Sequence, residues 1–273
     1  MPVEVEFAQR AAIERLRPYV RGYTGYRQDG VPEGLHRGLP SRSITLIISL
    51  SDPVRMIGGP GTEHGPLALS AAIGGLHLRP ALIAQDRTQY GIHVELDPLG
   101  VRALLGVSAT ELASGVFDLA ELPVPWRRDL VDRLVEAPDW SRRFAILDEC
   151  FVAGLRPVTL VSEVRWAWQR MAAETGGARV HELAGELGWS RRHFGARFSA
   201  EVGVTPKQAA RLTRFERSKA LLRAGGHGSL AEVAIECGYY DQAHLAAEWR
   251  EFAGCPPSTW IAEELPFLQA TGE

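Results

Sequence analysis

The chain has 273 residues, 45% of them hydrophobic and 23% charged, and a formal net charge of −3. That length holds two domains with full cores, and the composition is that of a globular protein, not of a disordered or fibrous one. The longest apolar runs, such as 44–50, are far too short to span a bilayer; no basic-then-apolar leader opens the chain; and the unclustered Cys150, Cys237 and Cys255 suggest neither disulfides nor a zinc site, which fits a reducing cytoplasm.

Residues 5–16 read as an amphipathic helix, with Phe7, Ala11 and Leu16 on one side. From 22 to 97 the character changes. Gly and Pro cluster at 30–32, 58–61 and 74–75, and β-like runs lie at 44–50, 54–57, 67–73, 76–83 and 90–96. Short strands at this spacing predict a small antiparallel barrel or sandwich. Gly58-Gly59-Pro60-Gly61 has turn chemistry, and no phosphate-loop lysine follows it. His93 and Glu95 share one face of a strand, but the polar-face reading outweighs a metal site.

Helical periodicity returns after Pro98. One helix is expected at 99–105. A second opens on the capping box of Ser108 and Glu111. Longer amphipathic helices are expected at 125–136 and at 139–155, the latter capped by Asp139. Pro157 then breaks the pattern, and a further helix is expected over 159–175, ended by Gly176 and Gly177.

Residues 182–257 contain one pattern written twice. The first copy has Leu183, Ala184, Gly188, Trp189, Ser190, His193, Phe194, Phe198, Gly203 and Pro206. The second has Val233, Ala234, Gly238, Tyr239, Asp241, His244, Leu245, Trp249, Gly254 and Pro257. Gly188 and Gly238 are fifty apart, whereas His193 and His244 are fifty-one apart, so the second turn holds one extra residue. Each copy reads as a short helix, a glycine turn, an N-cap (Ser190 or Asp241) and a second helix with its aromatic or aliphatic pair inward. That is the helix-turn-helix, whose second helix enters the DNA major groove. Between the copies, Thr205 caps and Pro206 starts a long helix that Gly225 stops. It spans roughly 28 Å, close to the ~34 Å between successive major-groove openings on one side of a duplex.

This region, about 158–260, resembles the DNA-binding domain of AraC/XylS-type transcription regulators, in which a long helix joins two helix-turn-helix subdomains. The carrying residues are Cys237-Gly-Tyr-Tyr-Asp-Gln-Ala-His-Leu245 with Trp249, Phe252 and Cys255-Pro-Pro257. The resemblance implies an α+β chain. Residues 1–156 would form an effector-sensing or dimerisation domain, a small cupin-like β barrel or sandwich (22–97) followed by helices (98–156). Residues 157–273 would form an all-α DNA-binding domain, with helix-turn-helix units at 181–202 and 230–253. The implied partners are double-stranded DNA, a small effector, a second copy of the chain and, for an activator, RNA polymerase; no membrane, metal or cofactor is expected.

Between Trp189 and Arg223, nine cations face two anions, a local excess of +7. Phosphate contact is the preferred reading of that stretch. The expected DNA-binding residues are Ser190, Arg191, Arg192, Ala196, Arg197, Lys207, Arg211, Arg214, Asp241, Gln242, Ala243, His244 and Arg250. Arg192 suits guanine O6 and N7, Gln242 suits adenine, and Arg191 and Arg197 suit phosphate. His193 and His244 fit packing or phosphate roles. Many family members carry Arg at the positions of Ala196 and Ala247, so base reading here shifts toward Arg191, Arg192 and thymine methyl groups. Tyr23, Tyr26, His36 and Tyr90 are the expected effector-pocket residues. Two other readings stay open: a metal-dependent cupin-type enzyme, and an alkyl-transfer DNA-repair protein, for which Cys150, set in an apolar helical pattern, is a poor acceptor.

Overall fold

The computed structural model describes residues 4–173, 179–226 and 228–263. Strands β1 (Glu4–Arg10), β2 (Val20–Asp29), β4 (Ile44–Ser49), β7 (Ala71–Gly74), β9 (Thr88–Leu96) and β10 (Val116–Asp118) form one antiparallel sheet, ordered β1-β2-β9-β4-β7-β10. Strands β3 (Gly34–Gly38), β5 (Val54–Gly58), β6 (Leu67–Leu69) and β8 (Ala81–Gln85) form the other, ordered β3-β8-β5-β6.

Side-chain alternation gives the larger sheet two unlike faces. Ile44, Leu46 and Ile48 of β4 pair with Leu96, Val94 and Ile92 of β9, and all six are fully buried. That face packs on the helices α1 (Val101–Leu105), α2 (Ala109–Leu112), α3 (Leu130–Glu136) and α4 (Trp140–Gly154). The opposite face presents Thr45, Ile47, His93 and Glu95 toward the smaller sheet.

The N-terminal helix expected at 5–16 is instead β1, and only Glu14–Leu16 turns helically. Val5 and Phe7 alternate with Glu4 and Glu6, and β2 supplies the pairing, Phe7 opposite Tyr26. The strands β2, β3 and β10 were not anticipated. The expected run at 67–73 divides at Ser70, and the run at 76–83 becomes extended only from Ala81. The helix expected at 125–136 is two pieces, because Asp129 sits at φ 57. The caps are as read: Ser108 and Glu111 form a capping box, and Asp139 accepts from the Arg142 N–H.

Six further helices follow: α5 (Ser162–Ala173), α6 (Val180–Glu186), α7 (Arg191–Val202), α8 (Pro206–Ala224), α9 (Leu230–Glu236) and α10 (Gln242–Ala253), then the short α11 (Pro257–Glu263). The helix expected from 159 begins at Ser162; its expected end at Thr175, Gly176 and Gly177 lies outside the described residues. The helical part docks on the β part at several points. Arg42 is 5% exposed, donates to the Trp168 carbonyl at 2.9 Å, and lies 4.2 Å from that indole's centroid. The Arg42 N–H also reaches Glu216 at 3.0 Å. The Thr110 hydroxyl donates to the Ser199 and Ala200 carbonyls near the end of α7.

Candidate nucleic-acid interface and adjoining cavity

The two copies of the sequence pattern fold alike. Gly188 and Gly238 take positive φ, 67° and 80°, in the turn where a side chain would be strained. The Trp189 N–H reaches the Ala184 carbonyl at 2.9 Å, and the Tyr239 N–H reaches the Ala234 carbonyl at the same distance. Ser190 accepts from the His193 N–H at 3.2 Å, and Asp241 from the His244 N–H at 2.7 Å. The His193 ring stands edge-on to Trp189, and the His244 ring edge-on to Tyr239. Both imidazoles are therefore packed on an aromatic at the start of a recognition helix.

Inward, Phe194 and Phe198 of α7 are fully buried, and Phe198 lies 6.1 Å from Trp168. Leu245, Trp249 and Phe252 anchor α10. Phe215 of α8 packs on Trp249 and Phe252, and Trp249 donates its indole N–H to the Ser218 hydroxyl at 2.9 Å. Outward, α7 exposes Arg191, Arg192, His193, Ala196 and Arg197, while α10 exposes Gln242, Ala243, His244, Ala247 and Arg250. Lys207 is exposed at the start of α8 and shares a groove with His244 and Ala247.

Two of the expected phosphate contacts are engaged inside the fold. Arg211 lies 2.8 Å from Glu248 and also pairs with Glu251; Arg214 lies 3.3 Å from Glu248. Glu248 is 5% exposed. Burial works against the charge on Arg211, but its bonds to Glu251 and Glu248 hold its pKa above the ordinary range. The two guanidiniums also lie over aromatic rings, Arg211 over Phe252 and Arg214 over Tyr239. They join α8 to α10 where the sequence reading had them on DNA, and their partners lie 34 to 40 residues downstream.

A cavity of about 460 Å³ lies between the two sheets. Thr24, Tyr26, Thr45, Ser49, His93 and Glu95 contribute from the larger sheet, and His36, Met56 and Ile83 from the smaller. Glu216, Lys219 and Arg223 of α8, with Trp260 of α11, complete its wall. Of the four residues expected here, Tyr26 and His36 line it. Tyr23 does not: it is three positions from Tyr26 on one strand and so faces the other way. Its ring stacks on Phe144 and its hydroxyl donates to buried Asp148 at 2.8 Å. Burial, then the Asp148 carboxylate, holds that phenol far above its usual range. Tyr90 borders the cavity, but its ring turns to the helix side, edge-on to Trp140. Among the described residues, no group of three or more His, Cys, Asp or Glu side chains is placed to hold a metal ion.

Residues 183–263 match the family model described as a helix-turn-helix domain. That part of the chain is a helix-turn-helix domain. The fold of the whole chain is similar to that of ToxT from Vibrio cholerae O395, with a TM-score of 0.50 at 10% identity, covering 95% of this chain and 97% of that one. A point variant of apo ToxT from Vibrio cholerae strain SCE256 gives 0.51 at 10% identity, covering 88% and 97%. The DNA-binding domain of AdpA, solved with a target DNA, is 26% identical over 41% of this chain and 95% of that domain, with a TM-score of 0.34. No curated protein matches the chain significantly in sequence. Among the described residues, no helix is long and apolar enough to cross a membrane.

Proposed function

We propose that the chain is a sequence-specific, DNA-binding transcription regulator whose β domain, divided from the DNA-binding domain near Pro157, senses a small effector. The observation that carries this is the repeated, capped helix-turn-helix pair, with each recognition helix buried on one side and bare on the other. Helix α7 presents Arg191 and Arg192 at its exposed N-terminal end, where base edges are met. Helix α10 presents Gln242 and Ala243 at the matching place. The DNA set is Ser190, Arg191, Arg192, Ala196, Arg197, Lys207, Asp241, Gln242, Ala243, His244 and Arg250, with Ser190 and Asp241 acting first as caps. Arg211 and Arg214 position α10 instead.

The cavity supports the sensing role. Its volume lies in the range of small-molecule sites. Its wall includes α8, the helix that sets the spacing of the two recognition helices, so a bound effector would touch the ruler itself. Tyr26 and His36 are the proposed effector contacts. A second copy of the chain, and RNA polymerase for an activator, remain the proposed protein partners.

The enzyme readings find little support in the side chains. His93 and Glu95 line the cavity as a pair. Cys150 is 3% exposed, and burial pushes its thiol up, away from the thiolate that alkyl transfer needs. Selection of duplexes from a random-sequence pool by the full-length protein tests the proposal. Recovery of one shared motif is the expected result; recovery of unrelated sequences would contradict it.

A further inference from the structure

The two helix-turn-helix units are not equal in charge. Helix α7 carries Arg191, Arg192 and Arg197 against Glu201, whereas α10 carries Arg250 against Glu248 and Glu251, with Asp241 at its cap. The second unit thus presents few cations on its exposed face, Arg211 and Arg214 being paired with Glu248 and Glu251. It also carries the extra residue in its turn, and the structure identifies which one. Trp189 and Tyr239 make the same backbone bond and meet equivalent histidines edge-on, while Ser190 and Asp241 make the same cap. The residue without a counterpart is Tyr240.

In the first unit the residue before the cap, Trp189, packs toward Phe194 four places into the helix, at 6.5 Å. That is the hydrophobic staple that fixes the entry of a helix. Tyr240 holds the same place before Asp241, and Leu245 is the matching fourth residue. Yet Leu245 is 1% exposed and Tyr240 is 89% exposed. The buried aromatic role has passed to Tyr239, at 4% exposure. The backbone of Tyr240 is nonetheless held, because its N–H donates to the His244 Nδ1 at 3.3 Å. A fixed backbone with a bare phenol, next to exposed Gln242 and Ala243, does nothing for the fold.

We propose that Tyr240 is a DNA-backbone contact of the second recognition helix, its hydroxyl donating to a phosphate oxygen. This rests on the DNA-binding reading above and deepens it. A neutral donor suits this position, where Arg250 is the one exposed cation of α10, and tyrosine is among the residues that hold phosphate through a hydroxyl.

The test uses the full-length protein and a duplex selected by it from a random-sequence pool. Tyr240→Phe and Tyr240→Ala should each weaken binding about ten- to a hundredfold, the range of one net hydrogen bond to a charged group. The salt slope should not change, since no cation is lost. Thermal melting should match the parent, because the ring is exposed. Parental binding by Tyr240→Phe, or by Tyr240→Ala, overturns the phosphate contact. The selection itself is the control: if the parent recovers no shared motif from the pool, the DNA-binding reading fails, whereas a shared motif with parental binding by the Tyr240 variants overturns only the assignment of Tyr240.

Discussion

The Arg211 guanidinium lies 2.8 Å from the buried carboxylate of Glu248, joining the spacer helix to the second recognition helix. Arg214 reaches the same carboxylate from one turn further on. Glu248 is the single anion on which both cations converge, so the orientation of α10 against α8 depends on it.

Glu248→Gln should destabilise the chain by about 3 kcal/mol, the low end for breaking a buried pair. The low end applies because Arg211 and Arg214 side chains keep 21% and 19% of their surface exposed. Urea unfolding followed by tryptophan fluorescence reads this, and a variant within 0.5 kcal/mol of the parent would remove Glu248 from the account (roughly the scatter of surface changes).

Cations on the DNA side should behave differently from those within the fold. Removing Arg191, Arg197 or Lys207 singly should lower the salt slope of binding by about 0.9 each, the value for one phosphate contact. Arg211→Gln and Arg214→Gln should lower stability and leave that slope alone. Arg192→Ala should cost about 1–3 kcal/mol on the selected duplex and relax preference at one base position. Titrations at several salt concentrations on selected and random duplexes separate these cases.

Alkaline pH should unfold the protein through its buried acids. Burial pushes the Cys237 thiol from an ordinary 9.0 to about 11. A group whose pKa is raised by folding contributes stability below its unfolded value and loses it as pH climbs toward the folded one. The loss from Cys237 therefore falls between about pH 9 and 11, and the buried phenols of Tyr23 and Tyr239, also raised, extend it upward. Melting temperature against pH should fall through this window, and a flat profile to pH 11 would contradict the burial. The same burial makes Cys150, Cys237 and Cys255 unreactive toward a thiol reagent in the native state at pH 8, and reactive in denaturant.

Tyr23 and Tyr26 should part company on mutation. Tyr23→Phe leaves Asp148 without one of its donors and should cost roughly 1–3 kcal/mol of stability. Tyr26→Phe should alter the binding of any small molecule found by thermal shift to occupy the cavity, and Tyr23→Phe should not. Equal effects of the two variants on that binding would contradict their placement on opposite faces of β2.

What the sequence made legible is what is local. The caps Ser190, Thr205 and Asp241 and the turn glycines Gly188 and Gly238 specify the helical part within a few residues of themselves, and repetition doubled the signal. What it hid depends on distant partners. Val5 and Phe7 fit either periodicity until β2 lies beside them. β2 itself mixes Gly22 and Gly25 with polar residues, Gly25 being small where the Trp140 ring packs against the strand. Arg211 and Arg214 look like free cations until Glu248 and Glu251 fold back on them. Tyr240 was visible as a one-residue offset, and the exposure of its ring beside the buried Tyr239 is what only the fold shows.

On the proposed function, one chain reads two successive major-groove segments through α7 and α10, held apart by the 19-residue helix α8. Methylation-protection footprinting of the selected duplex tests it most directly. Two protected patches are expected in the major groove, on one face and about 10 base pairs apart, with Arg192→Ala weakening protection in one patch first. A single patch, or two patches on opposite faces of the duplex, would contradict it.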